Sequence, residues 1–458
     1  MSAPHLLMLT SYYPYGHGET FIVAELEHIA PGFADVELVP SFYTPGEQPR
    51  PEPNPVNLGY ADTRRGLMRL PRMLLSLLQA LVHYRWTADL VHLLRHGRRL
   101  DNLKELVRAL YRARIFERFL AKRAVQGRGK GGAQGSEIMY FYWLVPEIAG
   151  ALRHRERTGA DIRIVCRAHR GDLYEALKPG GYAGLRRGIA AGIDDIYCIS
   201  EHGTRYLAEC FPQWRARFHT ARLGVNDPVI LNPQPAGGPL RIVSCAFVIA
   251  SKRLHLIVDA IAWLLEANPA LQVHWTHVGD GPLLDEVRAY AATRLDERAR
   301  TDFKGYQTQA QLAALYRDEA FDFIVNVSDS EGIPVSLMEA AAAGMPMVAT
   351  DVGGSGELAN AQTGVLLPAD ADAATIASAF ARFCDRGAAQ AWRRAARAHW
   401  DAHFNAARNY GRFARQLAGD GGLDERDVQA HREAPAVPAR PPTAVHAGIA
   451  AQANRPQG

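Results

Sequence analysis

Cysteine is scarce in this chain of 458 residues: there are five, an odd number, scattered at Cys166, Cys198, Cys210, Cys245 and Cys384. No two stand at a metal-ligand spacing and no histidine cluster joins them, which argues against a zinc module or a disulfide scaffold. They read as reduced thiols of a cytoplasmic protein. No Asp-x-Asp dyad closes a strand, so no metal is expected. No apolar run approaches the length of a membrane span. The first residues run straight into an apolar strand, Leu6–Leu9, without a charged leader, so no export signal is expected. A soluble or peripheral protein remains.

What is present is enough for two cores. The length exceeds one ordinary domain, and hydrophobic residues at 48% allow full globular packing. A net charge of +4 hides an asymmetry: residues 64–130 hold 17 Lys and Arg against four Asp and Glu. Within them, Leu67 to Leu81 is apolar but punctuated by arginine. Farther on, Leu103, Val107, Leu110, Tyr111 and Phe116 recur at roughly helical spacing among Arg108, Arg112, Arg118 and Lys122. Basic helices with apolar stripes can lie on an anionic inner-membrane surface. An ordinary helical insertion, apolar inward and arginine outward, fits equally. Nucleic acid is not expected, because no recognised binding module accompanies the basic segment.

The densest signal is Ser330-Glu331-Gly332-Ile333-Pro334-Val335-Ser336-Leu337-Met338-Glu339, followed by alanines and Gly344. Phe321 to Val327 reads as a buried strand, Pro334 suits the first helical position, Gly344 stops the helix, and Met347 to Thr350 starts another strand. Such a βαβ unit closes into a parallel sheet, whose ligands bind beyond the carboxyl ends of the strands. Glu331 falls in that loop, and the helix start favours a phosphate. Glu339 lies roughly one and a half turns into the helix. A carboxylate accepts from vicinal hydroxyls, so one glutamate for each of two sugars, with phosphates between, describes a nucleotide-sugar site. Two solvated glutamates on a surface helix are the bland alternative.

The string from Ser330 to Leu358 resembles the nucleotide-sugar motif of retaining glycosyltransferases with the GT-B fold, specifically family 4. Other segments resemble that family in its own order: Ser11 to Phe21, Arg167 to Tyr174, Cys198 to His202, Arg222 to Val225, Ser251 to Arg253, and Val278 to Leu283. The resemblance covers most of residues 5–415. It implies an α/β fold of two Rossmann-like domains facing a central cleft. It further implies a sugar moved from a UDP-, GDP- or ADP-linked donor to a glycan or lipid-linked acceptor. Cell-envelope synthesis of lipopolysaccharide, capsule or exopolysaccharide is the expected setting, and the cytoplasmic face of the inner membrane the expected place. The nucleotide sugar is a substrate, and no cofactor is implied.

By that resemblance His169 contacts the transferred sugar, Lys252 neutralises the leaving diphosphate, and Glu331 holds the donor sugar hydroxyls. Gly16 and Gly18 wall the cleft from the first domain, against the donor diphosphate or the acceptor. Gly279, Asp280 and Gly281 border the nucleotide. Gly332 and Ile333 bind the donor, the helix start at Val335, Ser336 and Leu337 meets the diphosphate, and Glu339 the ribose. Asp172 accompanies His169, while Thr350 to Gly354 and Glu357 line the same crevice. Phe247 stands where the family has an arginine, a departure. Arg253, where glycine is commoner, is expected to take over that charge.

The expected domains are 1–228 with the basic insertion at 64–130, a linker at 229–239, and 240–400. A helix at 401–418 crosses back to the first domain, and a disordered tail spans 419–458. A glycine-dense loop is expected at Gly127 to Gly135. Two other functions remain open: a sugar-nucleotide epimerase, and a degenerate scaffold in a polysaccharide complex, for which Phe247 is the best support.

Overall fold

A computed structural model of the chain describes residues 3–16, 19, 21–64, 89, 91–93, 100–126 and 136–419. Gly18, the run Leu67 to Leu81, the loop Gly127 to Gly135 and the tail from 420 lie outside the described residues.

The chain forms two compact units. The first comprises Met1–Cys198, Thr204–Thr220 and the residues from Arg412. The second comprises Ile199–Gly203 and Ala221–Gly411. The division thus falls eight residues before the expected boundary at 228, and the proline-rich segment 229–239 belongs with the second unit.

In the first unit, β1 (His5–Thr10), β2 (Asp35–Pro40), β3 (Glu137–Phe141), β4 (Ile162–Ala168), β5 (Asp195–Cys198) and β6 (Phe218–Thr220) make a parallel sheet. Its order is β2-β1-β3-β4-β5-β6. The chain winds one way from β1 to β2, then the other way from β1 to β3, so the switch point lies between β1 and β3. The strands are buried throughout because parallel crossovers cover both faces.

Helix Leu100–Val125 decides between the two readings of the basic segment where it is described. Leu106, Leu110, Tyr111, Phe116, Phe119 and Leu120 are buried in the core of the first unit, while Lys104, Arg108 and Lys122 are exposed. The apolar stripe is therefore spent on packing, and only Leu100, Leu103 and Val125 stand out as exposed apolar residues of this helix. Over residues 100–125 the helix packs as an ordinary insertion does, apolar inward and basic residues outward. Helix Ala406–Ala418 ends in the first unit, where Phe413 packs on Tyr140 and Tyr197. Arg163 donates to its last carbonyls, at Gln416 and Leu417.

In the second unit, β7 (Leu240–Cys245), β8 (Val273–Val278), β9 (Ala299–Phe303), β10 (Phe323–Asn326), β11 (Met347–Thr350) and β12 (Gly364–Leu367) form a parallel sheet. Its order is β12-β11-β10-β7-β8-β9, with the switch point between β7 and β10. The loops leaving those two strands carry Lys252 and Glu331. Among the described residues no helix is long and apolar enough to cross a membrane.

Candidate functional site

Glu331 sits in the loop after β10, only 8% exposed. Its Oε1 accepts from Lys252 Nζ at 2.6 Å, Ser328 Oγ at 2.7 Å and Asn326 Nδ2 at 3.2 Å. Burial alone would raise this carboxyl, but the Lys252 ammonium and the three donors outweigh it and hold the group below its ordinary pKa. Lys252 comes from the loop after β7, so the pair bridges the switch point. The backbone beneath is stapled too, with Asp329 N donating to Ser251 O at 2.9 Å. Asn326 and Ser328 were not singled out in the sequence; the polar residues at the end of an otherwise apolar strand were their signal.

The helix after this loop begins at Val335, with Pro334 as its extended N-cap rather than its first helical residue. Val335 and Ser336 N–H groups have no acceptor among the described residues, whereas Leu337 N already donates to Pro334 O at 3.1 Å. Leu337 and Ile333 are buried side chains of the core. Val335 and Ser336 thus keep unspent N–H groups at the helix start, whereas the Leu337 N–H is already engaged and its side chain is packed in the core.

Gly353, with φ at +56°, closes the loop from the other side: a Cβ there would lie 1.9 Å from Glu331 O. Gly279 plays the same part after β8, where a Cβ would meet Ala246 O at 1.9 Å. Val248 N donates to Asp280 O at 2.8 Å, so the Gly279-Asp280-Gly281 turn lies against the loop holding Phe247. Phe247 itself is 58% exposed.

Glu339 is half-buried, and loss of water pushes its carboxyl up to about 7, against a hydrogen bond from Gln309. Cys245 and Tyr316 feel its charge, and both are themselves shifted upward, chiefly by burial. Glu357 does not stand alone in solvent: Arg222 Nε donates to it at 2.9 Å, and Arg222 also pairs with Glu201.

Arg253 has a different duty from the one expected. It adopts φ +50° and caps helix Leu254–Ala267, which explains why glycine suits that position. Its guanidinium donates to Val327 O at 2.6 Å, Ala369 O at 3.0 Å and Ser328 O at 3.2 Å. Lys252 is left as the cation of this site, paired with a carboxylate rather than with carbonyls.

In the first unit, His169 follows β4 and is 7% exposed. Its ring is packed by Trp143, Tyr142 and Phe21, with centroids at 4.4, 4.9 and 6.3 Å. Among the described residues neither ring nitrogen has a hydrogen-bond partner, Asp172 Oδ2 standing 4.0 Å from Nδ1. Burial, with the Arg167 charge nearby, holds the imidazole well below its ordinary pKa, so the ring is neutral at physiological pH. Asp172 fixes the backbone here: it accepts from His169 N at 2.6 Å and Leu144 N at 2.7 Å, and burial lifts it to about 6. Gly16 is already engaged, its N–H donating to Glu47 at 2.7 Å and its carbonyl accepting from Arg50. That removes it as a free phosphate donor in this structure. Tyr142 and Trp143 follow directly on the last residue of β3 and become the walls around His169.

Residues 241–386 match the family model described as glycosyl transferases group 1. The amylovoran biosynthesis glycosyltransferase AmsK of Erwinia amylovora is 30% identical over 287 residues, 56% of this chain and 67% of that protein. The chain belongs to the group 1 glycosyltransferases. Another member, the putative colanic acid biosynthesis glycosyltransferase WcaL of Escherichia coli K12, is 30% identical over 176 residues, 37% of this chain. That match spans 42% of the length of WcaL, less than half of it. Among solved structures, apo lipopolysaccharide outer core galactosyltransferase WaaB superimposes with a TM-score of 0.63 at 13% identity, covering 91% of this chain and 99% of that one. At that identity the likeness speaks for the fold, which is the GT-B architecture of this glycosyltransferase family.

Proposed function

We propose that this protein is a retaining family 4 glycosyltransferase that moves a sugar from a nucleotide-sugar donor to an acceptor hydroxyl in cell-surface polysaccharide synthesis. The observation that carries the reading is the Lys252–Glu331 pair at a switch point, beside a helix start with two unspent N–H groups. As the acceptor hydroxyl oxygen bonds the anomeric carbon, the bond to the diphosphate breaks, negative charge gathers on the leaving group, and the hydroxyl proton passes to the departing phosphate oxygen. Lys252, drawn from Glu331 toward that charge, and the Val335 and Ser336 N–H groups meet it as preorganised donors. Glu331 then turns its second oxygen to the donor sugar hydroxyls, and Glu339 takes the ribose. Retention and the family 4 assignment rest on the resemblance of the motif. The named relatives in colanic acid and amylovoran synthesis favour a polysaccharide or its lipid-linked precursor as acceptor.

Thermal unfolding with a panel of uridine, guanosine and adenosine diphosphates and their sugars tests this, beside Glu339→Ala. A nucleotide at about 100 times its Kd adds roughly 2.7 kcal/mol, readable as a melting shift. One nucleotide family shifting the wild type but not Glu339→Ala supports the site; no shift from any removes the reading. A pH dependence comes with it. Ribose hydroxyls prefer the carboxylate over the acid, and Glu339 ionises at about 7. Affinity is therefore expected to rise between pH 6 and pH 8 by up to about tenfold, and Glu339→Gln to flatten that rise.

A further inference from the structure

We propose that Glu19 is a positioning residue of the catalytic cleft, holding Trp143 and the first loop so that the His169 imidazole keeps one orientation toward the sugar. This rests on the proposed function. The switch point of the first unit lies between β1 and β3, where an open α/β sheet ordinarily receives its anion. Here that place is filled from within. Glu19 is 8% exposed and has φ +56°, and its carboxylate collects four donors. Oε1 accepts from Ser11 N at 3.1 Å and from the Trp143 indole N–H; Oε2 accepts from Tyr12 N at 2.7 Å and Tyr13 N at 2.8 Å.

Three consecutive backbone N–H groups curled on one oxygen pair make an anion nest, and the protein's own carboxylate occupies it. Those donors are therefore not offered to a diphosphate. The indole that Glu19 holds lies 4.4 Å from the His169 ring, whose two nitrogens have no hydrogen-bond partner among the described residues, Asp172 Oδ2 standing 4.0 Å from Nδ1. Packing against Trp143, Tyr142 and Phe21 is what fixes the ring, and Glu19 fixes Trp143.

All four partners are donors, so glutamine cannot replace glutamate: its NH₂ would face N–H groups where an acceptor is needed. The test uses the full-length protein, with the nucleotide sugar that gives the largest melting shift as probe. Release of nucleoside diphosphate is followed with water as acceptor, and the Kd of the free diphosphate is measured in parallel. Glu19→Gln is expected to keep that Kd within about twofold while turnover at saturating donor falls about tenfold or more. Trp143→Phe, which removes the indole N–H together with part of the ring packed on His169, is expected to lower turnover in the same sense. Glu19→Ala is expected to gain thermal stability and turnover in formate, which refills the nest, but not in chloride at equal ionic strength. Wild-type turnover in Glu19→Gln, or a Kd that rises in parallel with the loss of turnover, overturns the positioning role. So does Glu19→Ala that formate does not stabilise, a result that needs no donor. Absence of any nucleotide shift in the wild type counts instead against the function itself.

Discussion

Lys252→Met is expected to lower transfer about 10²–10³-fold, the range seen when one preorganised donor is taken from a developing anion. The same change strands a buried carboxylate. Glu331 sits below its ordinary pKa only because Lys252 and its hydrogen-bond donors outweigh burial. Without the ammonium, burial dominates and the folded-state pKa moves above the unfolded value. The sign of the pH response then reverses. In the wild type, a depressed carboxyl contributes stability above its unfolded pKa, lost as pH falls through the folded value. In Lys252→Met, the raised carboxyl favours folding at low pH, and that advantage disappears as pH rises through the shifted pKa. Denaturant midpoints at pH 5 and pH 8 read this directly: the deficit against wild type is expected to be larger at pH 8. An equal deficit at both would mean that Lys252 does not govern Glu331. Lys252→Arg is no neutral control, because a planar fork cannot occupy the point position of an ammonium held by a single oxygen at 2.6 Å.

The second unit was the more legible from sequence because its site is local. Glu331, the helix start and Gly353 all fall within one short stretch, and a strand–loop–helix pattern with a proline at the turn dictates where each goes. Lys252 could be placed because Ser251-Lys252-Arg253 resembles the basic loop of the family; by pattern alone it reads as a solvated cation at a helix start. The details that escaped are those set by backbone shape rather than residue type. Nothing in the string Ser251-Lys252-Arg253 announces that residue 253 takes a left-handed conformation and turns its guanidinium onto three carbonyls. Leu337 was read as donor-binding because it lies at the helix start, yet the helix turns its side chain into the core. Strand β9, Ala-Arg-Thr-Asp-Phe, carries no apolar run; it is an edge strand, half-exposed, and pairing with β8 rather than propensity makes it extended. In the first unit, the role of Glu19 is invisible to pattern reading. Its donors come from residues 11 to 13 and from residue 143, joined only once β1 and β3 are neighbours.

The largest expected loss of stability lies in the first unit, at Arg123→Ala. Arg123 is 4% exposed and lies between two buried carboxylates, pairing with Glu37 at 2.7 Å and Glu137 at 2.5 Å. It also meets His5 Nε2 at 2.9 Å. The arrangement bolts the last turn of helix Leu100–Val125 to the starts of β1, β2 and β3. Removing this guanidinium leaves two acids in low dielectric, a change that costs about 3–5 kcal/mol. For a unit of this size that is a fall in melting temperature on the order of 10 °C. The pH dependence separates this from simple loss of packing. Burial would raise Glu37, but His5, Arg123 and Asn57 together hold it at about 2, so the wild type keeps this stabilisation far into acid. In Arg123→Ala burial is expected to lift Glu37, so the deficit is expected to be greatest above about pH 5, where the Glu37 carboxyl of the unfolded chain is ionised, and to shrink as it protonates. Calorimetry at pH 4 and pH 7 checks it. A pH-independent deficit would make Arg123 a packing residue; a small one at pH 7 would mean that this helix is free of the core, and the membrane reading of its arginines would return.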